Sequence, residues 1–356
     1  MKLALVISSL SAGGAERVLT NMANYWCTAG KEVVLITFSA GDEDDFYPIN
    51  AGIRRVCLDF RRNTQGWADK LKFNVSRLVA LRRALDEFRP DVVVSFMDST
   101  NVLTVLSAVG RKHATILSVR NNPKYRRLPL IWQVGRHLTY RFATTVVAQT
   151  KGAAEWIRIE TGSKVRVIPN PLRAVTRQEL AREQIILAVG RLIPEKGHDL
   201  LLDAFSRIVS KFPDWRLIIL GEGPLRSQLQ DQIDRAGLSQ RVEMPGTVKD
   251  VDTWISRCGL YAHPSRSEGF PNALIEAMAA GAPVLGCNCD FGPGEIIQND
   301  VSGILVPAED AAEFASALER LLSDKELRTR LGQAAMSVRY RYEITQIMQR
   351  WDALLQ

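Results

Sequence analysis

The amino-acid sequence predicts an α/β fold built from two tandem, doubly wound Rossmann-like domains facing a central cleft. Three observations lead there. At 356 residues the chain is too long for one ordinary core, since domains commonly run about 100–200 residues. Short β-branched runs alternate with helix-period segments, the rhythm of parallel sheets covered on both faces. That rhythm runs once before Pro169-Asn170-Pro171 and again after it.

In the first half, strands are expected over residues 3–8, 32–38, 92–96, 115–119 and 145–148, with helices near 15–28 and 67–88. Leu71, Val75, Leu78 and Leu85 recur at helical spacing and should face the core. In the second half, strands are expected over 185–189, 216–220, 242–244, 260–263 and 283–286, with helices near 198–211, 224–236 and 272–279. The apolar start leads into a glycine loop without a small-residue cleavage site, so it reads as a first strand and not a leader. No run approaches the ~18–20 apolar residues that span a bilayer, so the chain is expected not to cross one.

Hydrophobic residues at 46% with 24% charged exclude a disordered chain. The five cysteines are odd in number and lack a C-x-x-C pair, which argues against disulfides and zinc and fits a reducing cytoplasm. Cys287 and Cys289 read as strand packing. Charge divides unevenly. Residues 1–173 carry 26 Lys and Arg against 14 Asp and Glu, a net of +12; residues 174–356 carry 20 against 25, a net of −5. No acid lies between Asp98 and Glu155, where Arg111, Lys112, Arg120, Lys124, Arg126, Arg127, Arg136, Arg141 and Lys151 mix with Tyr125, Trp132 and Tyr140. Such a surface suits an anionic lipid face or a phosphate-bearing acceptor, with nucleic acid third; an ordinary solvated face is the plain alternative.

Doubly wound sheets bind ligands at the carboxyl ends of their strands, so the loops there carry the candidate site. After the first strand, Gly13 and Gly14 open a helix and let backbone N–H groups approach a phosphate. The spacing is not G-x-G-x-x-G, and Glu16 reads as first-turn dipole chemistry. After residues 185–189 comes Gly190-Arg191-Leu192-Ile193-Pro194-Glu195-Lys196-Gly197. Arg191 as a planar fork and Lys196 as a point charge suit a diphosphate, against the alternative of surface cations near Glu195. After residues 260–263 comes Ser265-Arg266-Ser267-Glu268-Gly269-Phe270-Pro271-Asn272-Ala273-Leu274-Ile275-Glu276. Glu268 stands on the loop and Glu276 in the next helix, and a carboxylate accepts two hydroxyls from the vicinal diol of a ribose or hexose. The Phe270-Pro271-Asn272 segment begins that helix, where free amides meet further oxygens.

The segments GGAER, GRLIPEKG and SEGFPNALIEAMAAGAPVL, with Ser302-Gly303-Ile304-Leu305-Val306-Pro307, closely resemble glycosyltransferase family four, retaining enzymes of the GT-B fold. The resemblance covers nearly the whole chain. It implies an acceptor-binding domain over 1–170, a nucleotide-sugar-binding domain over 171–339, and a helix within 340–356 that crosses back to the first. It also implies that Arg191 and Lys196 bind the donor diphosphate, Glu268 the donor sugar and Glu276 the ribose, with Gly13 and Gly14 closing over the phosphates. Backbone near Gly246-Thr247-Val248 should meet the base, for which uridine is the family-level expectation. The departing diphosphate should take the acceptor proton on the same face, with Arg191 and Lys196 stabilising its growing charge.

GGAER, LRRAL, SFMDSTN and SEGFPNALIE are similar to bacterial transferases that extend undecaprenyl-diphosphate-linked glycans, including N-acetylgalactosaminyl transferases. That likeness implies a polyprenyl-diphosphate-linked glycan acceptor, an anionic membrane surface, a peripheral place on the cytoplasmic face of the inner membrane, and no nucleic acid. In that subgroup a basic helix reads the lipid diphosphate; here residues 66–88 occupy its place, with Lys70 and Arg77 on one face, or form a solvated basic edge. Asp98 meets donor or acceptor, or caps a helix. Many family members have His where this chain has Arg120, so no His-based step carries over; an Arg stabilises phosphate charge but shuttles no proton. Asp250-Val251-Asp252 has a D-x-D form but reads as a helix start, the run of residues 42–45 as a solvated loop, and the four His show no metal spacing. No metal or cofactor is expected. The rival functions are a nucleotide-sugar epimerase of the same fold and a non-enzymatic nucleotide-sugar sensor.

Overall fold

The computed structural model describes every residue except Ala12, 41–44, 61–64, 125–127 and 174–180. Two of the sequence features noted above, the acidic run at 42–44 and Tyr125, Arg126 and Arg127, lie outside the described residues. The chain forms two compact units, Met1–Pro169 with Met348–Gln356, and Asn170–Ile347.

The first unit runs β1 (Lys2–Ile7), α1 (Gly14–Thr28), β2 (Glu32–Thr37), β3 (Arg54–Cys57), α2 (Gly66–Phe88), β4 (Val92–Phe96), α3 (Asp98–Ala108), β5 (Ala114–Ser118), α4 (Leu130–Thr139), β6 (Thr145–Ala148), α5 (Lys151–Thr161) and β7 (Val165–Val167). Its sheet is parallel throughout, in the order β3-β2-β1-β4-β5-β6-β7. β1 and β4 are buried along almost their whole length, as the continuous apolar runs of a two-sided sheet require. The order reverses between β1 and β4; Gly13 lies in the loop after β1, and Asp98 begins the helix that follows β4.

The second unit runs β8 (Glu183–Val189), α6 (His198–Ile208), β9 (Arg216–Leu220), α7 (Arg226–Arg235), β10 (Val242–Gly246), α8 (Val251–Arg257), β11 (Cys258–His263), α9 (Asn272–Ala279), β12 (Val284–Asn288), α10 (Pro293–Ile296), β13 (Ile304–Pro307), α11 (Ala311–Ser323), α12 (Lys325–Ala335), α13 (Val338–Arg341) and α14 (Ile344–Asp352), the last ending in the first unit. Its parallel sheet has the order β10-β9-β8-β11-β12-β13. Here the reversal falls between β8 and β11, so the loops carrying Arg191 and Glu268 leave adjacent strands in the same direction.

One expectation is corrected. Along α2, Leu71 and Val75 are 48% and 51% exposed and do not face the core. Phe73 and Arg77 turn inward there instead: Phe73 meets the Phe60 ring at 5.6 Å between centroids and the Arg77 guanidinium lies 4.2 Å over Phe38, contacts that aliphatic side chains would not supply. Of the expected stripe, Leu78 packs half-buried against the core and Leu85 is buried, joined there by Leu81 and Phe88. The closing helix within 340–356 is α14, which starts at Ile344 after a break from α13 at Tyr342, whose carbonyl accepts the Leu172 N–H at 2.7 Å. Trp351 of α14 packs edge-on against Trp26 of α1, and Asp352 accepts from Trp26 Nε1 at 2.9 Å and from Lys31 at 2.5 Å, which fixes the chain end to the first unit.

Candidate active site

The loop after β8 is shaped by contacts that only glycine permits. Gly197 has φ +64°, and a Cβ there would lie 2.1 Å from the Pro264 carbonyl oxygen. The loop after β11 therefore lies directly against it. Arg266 ties the two loops further, donating to both Asp199 carboxylate oxygens at 2.7 and 2.8 Å and to the Pro194 carbonyl at 2.9 Å. Its backbone N–H also donates to the Glu195 carbonyl at 2.8 Å.

This clamp brings Lys196 to Glu268, with Nζ donating to Oε1 at 2.7 Å. His263, at the end of β11, places Nε2 3.1 Å from the same oxygen, off the direction of the ring N–H. Both contacts fall on Oε1, and among the described residues Oε2 takes none. Burial alone would raise the Glu268 carboxyl, but Lys196 and His263 outweigh it and hold the group well below the usual carboxylate range. Glu268 is thus a buried anion with one oxygen committed to the protein and the other available to accept a hydroxyl. Arg191 is exposed beside this pair in sequence, five residues before Lys196. His198, the first residue of α6, is buried and its pKa is pushed down to about 4 by burial and by the Lys196 charge, so it is uncharged at neutral pH.

Glu276, in the second turn of α9, is buried and accepts from Arg173 at 3.2 Å. Arg173 also grips Asp252 with both guanidinium nitrogens. Asp250 caps α8, accepting the Thr253 N–H at 3.1 Å, so both acids of the D-x-D run are engaged within the unit. Phe270 packs edge-on to Tyr342 at 5.7 Å, Pro271 precedes α9, and Asn272 at its start accepts from Asn170 at 2.8 Å. Thr247 is exposed and Val248 half-buried just beyond β10. Among the described residues no group of three or more His, Cys, Asp or Glu is placed to hold a metal ion.

The sequence model described as "Glycosyltransferase Family 4" matches residues 12–174, and the one described as "Glycosyl transferases group 1" matches residues 175–338. An N-acetylgalactosamine-N,N'-diacetylbacillosaminyl-diphospho-undecaprenol 4-alpha-N-acetylgalactosaminyltransferase of Campylobacter jejuni is 33% identical, over 92% of this chain and 92% of that protein. The chain is a family four glycosyltransferase of the GT-B fold. A second Campylobacter jejuni enzyme, an alpha-1,4-N-acetyl-D-galactosaminyltransferase named for a diNAcBac-PP-undecaprenol-linked acceptor, is 28% identical over 100% of this chain and 98% of its own. Among solved structures, Anabaena HepE in complex with UDP shares the fold with a TM-score of 0.79, at 20% identity, covering 100% of this chain and 99% of that one.

In the glycosyltransferase's first unit the remaining sequence candidates are more dispersed. Gly14 begins α1 and Gly13 caps it in extended conformation, with the Glu16 carboxylate folded against it. Asp98 is the first residue of α3, not its cap; it is buried between Tyr140, whose hydroxyl lies at 3.4 Å, and Arg136 at 3.7 Å. Lys70 is exposed. Arg77 is half-buried against Phe38, and burial pulls its pKa down to about 10. Arg120 is only 8% exposed, its guanidinium 3.8 Å over the Phe96 ring and 5.7 Å from Trp351, with its pKa pushed down by burial to about 9. Its guanidinium is turned inward onto these rings.

Arg173 and Asp199 are not singled out by the sequence, and His263 and Arg266 take no site role there. Arg173 pairs with residues 79 and 103 positions away, spacings that carry no local signal.

Proposed function

We propose that this glycosyltransferase moves a hexose or N-acetylhexosamine from a nucleotide-sugar, a UDP-sugar first of all, to a glycan carried on a lipid diphosphate, retaining the anomeric configuration, in the assembly of bacterial surface polysaccharide or glycoprotein glycan. The observation that carries it is the Lys196–Glu268 pair at the strand-order reversal of the second sheet, with Glu268 Oε2 open to a sugar hydroxyl. The lipid-linked acceptor is supported by the printed activities of the two Campylobacter jejuni relatives.

In this reading Arg191 and Lys196 stabilise charge that grows on the departing diphosphate, and that diphosphate receives the acceptor proton. Glu276, oriented by Arg173, takes the ribose; Thr247 and Val248 meet the base; Phe270, Pro271 and Asn272 shape the start of α9 beside the sugar. Gly13 and Gly14 present the α1 amides to the phosphates. Lys70 is the cation of α2 assigned to the acceptor diphosphate, with Arg77, Asp98 and Arg120 supporting that region from within the first unit. Metal has no part in the proposal, and the nucleotide-sugar is a substrate and not a cofactor. The enzyme works on the cytoplasmic face of an anionic membrane.

A thermal-shift screen of UDP- and GDP-sugars, followed by turnover with a polyprenyl-diphosphate glycan and NMR of the product anomer, tests it. Stabilisation by one UDP-sugar, transfer only with acceptor, and an α product from an α donor are expected. Turnover of donor without acceptor would make the protein an epimerase, binding without turnover a sensor, and an inverted anomer would end the retaining mechanism.

A further inference from the structure

Helix α4 is built inside out. Its inward side carries Arg136, buried against Trp156 at 4.8 Å and Asp98 at 3.7 Å, together with Thr139, whose hydroxyl donates back to the Gly135 carbonyl at 2.7 Å. Its outward side carries Leu130, Ile131, Val134 and Leu138, which fall within about 100° of arc at 3.6 residues per turn. Phe142, in the short turn that follows, extends the strip, and these five side chains are 48–74% exposed. Single exposed apolar residues are ordinary, but five along one ten-residue helix and its exit are not. Burying a guanidinium while leaving the leucines in water makes sense only if something apolar covers the outer face.

The flanks indicate what that is. Arg141 is exposed with its guanidinium 5.2 Å from the Phe142 ring, Lys124 and Lys151 are exposed in the same stretch of chain, and the sequence holds no acid from residue 99 to 154. Among the described residues no helix is long and apolar enough to cross a membrane. An apolar strip with an exposed arginine at its end, in a stretch of chain that carries cations and no acid, and too short to span, has the make-up of a helix lying in the headgroup–acyl boundary of an anionic bilayer.

We infer that α4 and the turn through Phe142 form the face by which the first unit inserts into a membrane, with Leu130, Ile131, Val134, Leu138 and Phe142 entering the acyl boundary. This rests on the lipid-linked acceptor proposed above and deepens it. Attraction through charge alone would vanish in concentrated salt, whereas apolar insertion persists.

The experiment is co-sedimentation of the full chain with vesicles of phosphatidylcholine and phosphatidylglycerol at 0.15 M and 1 M NaCl, comparing wild type with Ile131→Ser/Val134→Ser/Leu138→Ser. All three side chains are exposed, and circular dichroism melts check that the fold survives. The wild type should keep at least a third of its bound fraction at 1 M salt, and the triple variant should partition at least tenfold more weakly at both salt levels. Equal partition of the two proteins would overturn the inference, as would complete release of wild type by salt. So would a wild-type dimer that the triple variant dissolves, which would assign the strip to self-association. Transfer to a detergent-solubilised lipid-diphosphate glycan is measured beside these. If it proceeds while the vesicle results fail, the insertion face is wrong and the proposed reaction stands. If vesicle binding behaves as expected and no lipid-diphosphate acceptor is used, the acceptor reading is the one that fails.

Discussion

At the scale of single residues, the pairing of Lys196 with Glu268 changes what a substitution should do. A cation set aside for phosphate would be removable at little cost in stability, but this one also balances a buried carboxylate. Removing one partner of a buried pair costs about 3–5 kcal/mol, and because the Lys196 side chain is 25% exposed, about 1–3 kcal/mol is the fitting expectation. Lys196→Met should therefore be destabilised in urea, and adding Glu268→Gln should recover part of that loss while activity stays low. Arg191, exposed and outside the pair, is the cleaner probe: Arg191→Ala should keep the wild-type melt and lose about 10²–10³ in turnover. A folded Arg191→Ala enzyme at near-wild-type rates would remove it from the diphosphate site. His198 supplies a pH signature. Its folded pKa near 4 lies below the ordinary 6.5, so the unfolded chain binds a proton the native state does not. Stability from this group is full above pH 6.5 and is lost as pH falls toward 4, by about 3 kcal/mol. Glu268, whose carboxyl is depressed, loses its share only at lower pH, so urea unfolding between pH 6.5 and 4 should be markedly flatter in His198→Leu than in wild type.

At the scale of elements, the loop after β8 and the loop after β11 work as one piece, joined by Gly197 against Pro264 and by Arg266 on Asp199. Gly197→Ala must place a Cβ on a carbonyl oxygen at a left-handed φ, costing about 1–3 kcal/mol in backbone strain alone. It should lower the melting temperature by several degrees and turnover by more than its loss of folded protein explains; a wild-type melt and rate would show that the two loops do not depend on this contact. Much of this arrangement was legible in the sequence. Gly190, Gly197 and the cations punctuate a strand-to-helix turn, and the β-branched runs place β8 and β11, whose following loops carry the chemistry. The clamp itself was not, because Arg266–Asp199 and Arg173–Glu276 join residues far apart in the chain. Nor was the face of α2, where Phe73 and Arg77 found aromatic partners in Phe60 and Phe38 that spacing alone could not announce.

At the scale of the whole molecule, the two parallel sheets and the family follow from evidence spread along the chain, whereas the reaction depends on what the second unit's paired loops hold. Seven strands in one sheet and six in the other each place their candidate loops at a reversal of strand order. The most direct measurement is transfer of radiolabel from a UDP-N-acetylhexosamine into the organic phase with an undecaprenyl-diphosphate glycan as acceptor, run with and without EDTA. Label should enter the lipid fraction only when acceptor is present, EDTA should change the rate by less than about twofold, and Arg191→Ala should cut it by about 10²–10³. Label that stays in water with acceptor present, across the UDP- and GDP-sugars, or transfer that continues in Arg191→Ala at the wild-type rate, would contradict the assignment of these loops to a glycosyl donor.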